Sequence, residues 1–592
     1  MKRIELVKVA IGKIPCDILI KGGKLVNVHT HEIYPVDVAI KEDRIAYVGD
    51  AEHLVGPETK IIDAESKYLV PGLIETHFHE YETQLAVEEF AKVFLERGTT
   101  TLPVSFYGMG IVRGTQAIKF FYDRLKNTSL RTYFLVPTLT YLQNRDLGLP
   151  RSPYTPEDED FLAMLDWEGC IGIEEPPFLP LVKEDPVIIK LYERALEERK
   201  VIIGHACELT GRELNAYIAA GTISDHEAVS VEEAIERARL GLNISIREGS
   251  GMPNLKELVK AITYNKIDSR AFNFCNDVAS PFKLYQEGNI DDAVRKAIQL
   301  GVNPITAVQM ASLNSAQVLG LGMDLGSIVP GKYADIILVN DLESFVIDQV
   351  IVGGNKVVEN GNYIGPKLNI EYPSFLYNTV ELSHLVQPSE ISISVPGDRK
   401  YVEVRCIDSP EDSIITPEIH VKLPVSNGYV KSDISNDILK IIMVNRYKEK
   451  QDTGIGFVRG FNLKEGAIAT TYNPNQENII AVGASDEDIC FAINHIADIG
   501  GGLVVVKNKK VLSELQLPVL GLLSDQPLSK VLEDFKALKL SIHSLGCKYK
   551  EPFHKLAFIG ACGEIGILKI TPYGLFNVHH GKIVSTVINK EK

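Results

Sequence analysis

Between residues 71 and 322 the chain alternates short apolar, β-branched runs with longer stretches of helical periodicity, and this alternation restricts the fold more than any other feature. Strand-like runs fall at 69–76, 99–104, 132–137, 170–174, 201–204, 221–224, 243–246 and 271–274. A helix between two strands returns the chain to the end of the sheet where it began, so such strands pair in parallel. Eight β/α units in roughly 250 residues match the size of a (β/α)8 barrel, whose functional side chains gather at the C-terminal strand ends.

Two smaller β patches flank this segment. One lies at 17–49; the other follows the run Gly326-Ser-Ile-Val-Pro-Gly-Lys and covers about 334–358. Matching patches on either side of one long insert predict a composite β-sandwich domain built from 1–70 and 323–365, with the barrel at 71–322 inserted in it. A polar, proline-containing stretch at 366–399 reads as a linker. Residues 400–592 mix strands with a helix near 486–499 and form a third domain of α/β or α+β type. At 592 residues the chain is too long for a single core, which agrees with this division.

Lys plus Arg number 62 against 78 Asp plus Glu, a net charge of −16, which disfavours nucleic acid or an anionic membrane as partner. A small-molecule substrate fits better, and a homo-oligomer is left open. The first residues carry positive charge without the apolar stretch of a signal peptide, and no segment is apolar enough to span a bilayer, so a cytoplasmic protein is expected. The eight cysteines are scattered with no C-x-x-C pair, which indicates neither a thiolate metal site nor a disulfide framework.

Chemistry enters at the strand ends. His77 and His79 follow the first strand, Glu175 the fourth, His205 the fifth, His226 the sixth and Asp277 the eighth. Alternate residues of an extended chain face the same side, so His77 and His79 address one site together. Taken singly, each residue is more often a loop hydrogen-bonder than a ligand. The conjunction weighs against that reading, because the chain has only 14 histidines and four of them fall just after strands of one barrel. Imidazole and carboxylate donors suit manganese, iron(II) or zinc, and a carboxylate can bridge two ions.

The run Pro71-Gly-Leu-Ile-Glu-Thr-His-Phe-His resembles the first-strand motif of the amidohydrolase superfamily, and the segment from Gly326 resembles its return to the small β domain. The finer resemblance is to adenine deaminases. It is carried by Gly204-His-Ala-Cys-Glu-Leu-Thr-Gly-Arg, Ser224-Asp-His-Glu, Ile246-Arg-Glu-Gly-Ser and Met310-Ala-Ser-Leu-Asn-Ser-Ala, and in the last domain by Gly454-Ile-Gly-Phe-Val-Arg-Gly-Phe and Leu517-Pro-Val-Leu-Gly-Leu-Leu-Ser. The resemblance implies hydrolytic deamination of adenine to hypoxanthine and ammonia with two divalent metal ions, Mn2+ or Fe2+ foremost and Zn2+ permitted. His77, His79 and Asp277 would hold one ion and His205 and His226 the other, with Glu175 bridging. Asp277 would also carry the proton between water and the departing ammonia. Arg247 and Ser250 would line the substrate pocket, and Glu248 and Glu227 are the candidates for protonating the ring nitrogen.

The chain departs from the family pattern at several positions. Ser105-Phe106-Tyr107-Gly108 replaces an Asp-Pro-His-Glu run, Tyr81 stands where a glutamate is usual, and Pro474-Asn475-Gln476-Glu477 replaces a His-Asp-x-His run. These departures keep two alternatives in view: a hydrolase of the same type acting on another aminated heterocycle or a cyclic amide, and a non-catalytic homologue.

Overall fold

The apolar runs of the central segment become eight parallel strands: Leu73–Ile74, Thr99–Val104, Arg131–Pro137, Cys170–Glu174, Val201–Ile203, Ser224–Asp225, Asn243–Arg247 and Phe272–Cys275. They belong to a computed structural model that describes residues 2–149, 152–411, 413, 415–447, 451–562 and 566–588. Beyond the last strand, Asp277 pairs with Phe78: the His79 N–H donates to the Asp277 carbonyl at 2.8 Å and the Asp277 N–H to the His77 carbonyl at 3.0 Å. Those two bonds close the (β/α)8 barrel between its first and last strands, at the place where His77, His79 and Asp277 meet.

The run expected as one strand at 69–76 serves two sheets. Tyr68–Pro71 pairs with Ile336–Val339 and with Lys24 and Leu25, and only Leu73–Ile74 enters the barrel. Gly72 makes the crossing, where a β-carbon would stand 2.2 Å from Thr100 Oγ1. The sixth strand is likewise shorter than 221–224 suggests and holds only Ser224–Asp225.

The segments before and after the barrel form a continuous nine-stranded sheet. Its alternation explains how it holds the barrel. Leu69, Ile336 and Leu338 pack in its own core, whereas Val70, Ile337 and Val339 point the other way and join the barrel's apolar cluster. The C-terminal region repeats this scheme in a second nine-stranded sheet, antiparallel except where Tyr401–Asp408 meets Thr453–Arg459. Ile442, Val444, Ala469 and Ala481 bury against the helix Asp486–Asp498, while Ile441, Met443, Ile468 and Ile480 extend the barrel's cluster.

The 366–399 stretch packs rather than trailing free. Val380, Val386 and Ile391 are buried against the C-terminal helix and sheet, and the Tyr372 hydroxyl donates to Glu88 at 2.7 Å. Among the described residues no helix is long and apolar enough to cross a membrane.

Candidate metal centre and active site

The strand ends deliver the six expected donors to one place. Atoms of His77, His79 and Glu175, of His77, His226 and Asp277, and of Glu175, His205 and His226 lie within 4.8 Å of one another in each trio. Glu175 Oε1 stands 3.1 Å from His205 Nδ1, 3.2 Å from His226 Nε2 and 3.4 Å from His77 Nε2. Asp277 Oδ1 is 3.3 Å from His79 Nε2 and 3.5 Å from His77 Nε2. Both carboxylate residues adopt left-handed backbone, with φ 47° at Glu175 and 61° at Asp277. Such strain in non-glycine residues collects at functional sites.

The field of the site is that of a cation trap. Burial opposes ionisation of Glu175 and Asp277, yet neighbouring histidines and, for Asp277, the Arg247 guanidinium hold both carboxyls well below the ordinary range. Burial likewise disfavours charge on His77, but Glu175 and Asp277 raise its basicity. The groups that would hold protons on these rings are the groups that hold divalent cations, since protons and metals compete for such ligands. Both ring nitrogens of His77 are buried without a hydrogen-bond partner, an arrangement that is costly unless something else engages them. The donor set therefore fits divalent metal ions.

Behind the donors stand residues that the sequence reading missed. Glu75 accepts the N–H groups of Thr76 at 3.0 Å, His77 at 3.2 Å and Asn276 at 3.1 Å, which ties the first strand end to the last. Residues 75, 77 and 79 alternate in register, the one signal that marks Glu75 beforehand. Asp225 accepts from Ala206 N at 2.7 Å and Glu227 N at 3.0 Å, fixing the residues that follow His205 and His226, and it pairs with fully buried Arg237 at 3.2 Å. Asp225→Ala leaves that guanidinium only Glu233 at 3.4 Å and the Ala206 carbonyl at 2.9 Å, so the loss is expected to approach but not exceed the about 3–5 kcal/mol of a buried pair deprived of one partner. Denaturant unfolding is expected to show that loss; a change within about 0.5 kcal/mol, the range of ordinary surface substitutions, would contradict it.

A narrow cavity opens in front of the donors. Arg247 lines it. Its guanidinium reaches Glu227 Oε1 at 2.6 Å and Asp277 Oδ2 at 3.2 Å, and although burial opposes ionisation, that contact holds Glu227 well below the ordinary range. Glu227 also lines the cavity, with Oε1 3.1 Å from His226 Nε2. Glu248 does not reach the cavity: its carboxylate pairs with Lys296 at 2.6 Å. Ser250 is not brought to the lining either. Its Oγ accepts the Ser280 N–H at 3.0 Å and ties two loops, while the adjacent Gly251 and Met252 face the cavity.

The positions that depart from the family pattern also converge. The Tyr81 hydroxyl donates to the Tyr107 hydroxyl at 2.7 Å, and a β-carbon on Gly108 would press on the Tyr81 ring at 2.8 Å. None of the donor trios among the described residues includes residues 105–108. From the C-terminal domain, Pro474 and Phe558 also line the cavity.

Barrel and donor set together define a metal-dependent hydrolase of amidohydrolase type. Residues 68–357 match the amidohydrolase family, and residues 413–582 match the adenine deaminase C-terminal domain. The adenine deaminase of Moorella thermoacetica is 35% identical over 587 residues, spanning 98% of each chain. That of Thermosipho africanus is 36% identical over 594 residues, 99% of this chain and 100% of its own, and that of Clostridium botulinum (strain ATCC 19397) is 33% identical over 591 residues, 99% and 97%. The chain belongs to the adenine deaminase family.

Proposed function

We infer that this chain deaminates adenine hydrolytically, releasing hypoxanthine and ammonia. The observation that carries the reading is the convergence of six donors at the barrel mouth of a chain that matches adenine deaminases from end to end. His77, His79 and Asp277 would hold one divalent ion, His205 and His226 a second, and Glu175 would bridge them, with Mn2+ or Fe2+ expected and Zn2+ compatible with the same donors. When bound, such ions lower the pKa of water so that it becomes a nucleophile near neutral pH. Asp277 accepts the proton of that water and returns it to the leaving amino group. Arg247 keeps the Asp277 carboxylate aimed, and Glu227, held ionised beside Arg247, orients the histidine side of the site rather than donating a proton. The reading as another heterocycle or cyclic-amide hydrolase rests on the departures at Tyr81, 105–108 and 474–477. A non-catalytic homologue is disfavoured because all six donors remain together.

Metal analysis of freshly purified protein, with ammonia release from adenine and a panel of purines, pterins and cyclic amides, tests the reading. The expected result is close to two divalent ions per chain, with adenine the preferred substrate and turnover abolished by chelation and restored by metal. Metal-loaded protein that releases no ammonia from adenine would rule the reading out.

A further inference from the structure

The cavity has room for little more than water, so an organic substrate must displace part of its lining to reach the donors. The span best able to give way lies in the loop after the seventh strand, which is tied down at two posts. At the first, a β-carbon on Gly249 would stand 2.0 Å from the Asn276 carbonyl oxygen, the Ser250 N–H donates to the Val278 carbonyl at 2.7 Å, and Ser250 Oγ accepts the Ser280 N–H at 3.0 Å. At the second, the Asn254 N–H donates to the Arg247 carbonyl at 2.9 Å and its side-chain amide to the Ala228 carbonyl at 3.0 Å. Between the posts, Gly251, Met252 and Pro253 make no hydrogen bond among the described residues. Segments without such bonds open most readily.

This span meets both the cavity and the C-terminal domain. Gly251 and Met252 are half-buried and line the cavity together with Phe558. Phe558 and His554 stand one turn apart on the helix Pro552–Ile559, with ring centroids 4.7 Å apart. A β-carbon on Gly251 would lie 3.1 Å from His554 Nε2, so the glycine backbone rests against that ring where a larger residue would press on it. Nε2 is buried and has no hydrogen-bond partner, which is unfavourable whether it carries a hydrogen or a lone pair. Burial of the Met252 side chain favours the seated position, and hydration of Nε2 favours the lifted one. Opposed terms of this kind give a segment two positions rather than one.

We propose that residues 251–253 form a flap that closes the cavity against the C-terminal domain, with Met252 as its apolar tip and Gly251 as the residue that lets it seat. The C-terminal domain then governs entry and release, and the barrel keeps the chemistry. Loops that close over barrel mouths often set turnover in this way. The flap does not depend on which heterocycle is turned over; its kinetic consequence rests on the adenine reading.

Two measurements on metal-loaded protein test it. Diethyl pyrocarbonate modifies unprotonated imidazole nitrogens, and mass spectrometry reads each histidine separately, so the rate at His554 reports how often Gly251 lifts. Met252→Ala and Gly251→Ala both disfavour the seated position and should raise that rate about fivefold or more, while the rate at exposed His384 stays unchanged. Rates at His554 equal in wild type and both variants overturn the proposal. In the second measurement, hypoxanthine is mixed rapidly with the protein. Its binding rate should level off at high concentration in the wild type, where opening becomes limiting, and the plateau should rise about tenfold in Met252→Ala. A wild-type rate that climbs linearly without a plateau overturns the flap as a gate. A wild type that neither binds hypoxanthine nor releases ammonia from adenine overturns the substrate reading, and the His554 rates alone then decide the flap.

Discussion

Asp277→Asn is expected to lower adenine turnover by about 10²–10⁴-fold, the usual contribution of a positioned general base, while the protein stays folded and keeps its metal. The fold should tolerate the change for a local reason. Asp277 occupies left-handed backbone at φ 61°, a region Asn and Asp share more readily than other residues. Its N–H and carbonyl, not its side chain, make the two bonds that close the barrel. Asn also keeps an oxygen in the Oδ1 position, 3.3 Å from His79 Nε2, but lacks the basic site held beside Arg247. His495→Asn is the control: that ring makes a half-buried pair with Glu514 at 2.6 Å in the C-terminal domain, outside the cavity lining, and its loss should leave turnover unchanged within about twofold. Rate, metal content and unfolding midpoint measured on both variants decide the matter. Most activity retained in Asp277→Asn would remove the proton-carrying role from this residue.

The convergence of the six donors was legible because strand ends carry their own signal. In H-x-H the period of two puts both rings on one side, and a polar residue ending an apolar run has little to do in a packed barrel unless it faces the mouth. The same period separates Arg247 from Glu248: strand residues 243, 245 and 247 share one side, so Glu248 turns outward to Lys296 on the helix Ile290–Gln299. Reading both as pocket residues passed over that alternation. The split of 69–76 between two sheets was hidden because an apolar run does not encode which neighbours it pairs with. Phe558 and Pro474 lie far along the sequence from the barrel donors, and their place in the cavity lining depends on how the second nine-stranded sheet lays Ile441 and Met443 on the barrel core. No local periodicity reports such a contact. The polarity of 366–399 likewise concealed three isolated apolar residues that fill a core.

Glu175→Gln should be the most damaging substitution of all in metal content. Glu175 is the one donor whose oxygens approach histidines on both sides of the site, with Oε1 3.1 Å from His205 and 3.4 Å from His77, and Oε2 3.9 Å from His79. The amide has the same shape and the same left-handed backbone to satisfy, so the scaffold loses nothing. It turns one ligand oxygen into an N–H2 donor, which repels a cation and cannot bridge. Loss of a bridged cation removes several kcal/mol of charge stabilisation, on the order of 10²–10³-fold or more in rate. Glu174→Gln is the informative comparison, because Glu174 Oε1 lies 3.4 Å from His77 Nδ1 and can only orient that ring. Outer partners of this kind change metal affinity by about 10–100-fold, so added metal should restore Glu174→Gln. Added metal should not restore Glu175→Gln, whose defect is a missing ligand rather than a weakened one. Metal content and adenine turnover measured across a metal titration separate the two, and full recovery of Glu175→Gln at high metal would show that the bridge is not needed.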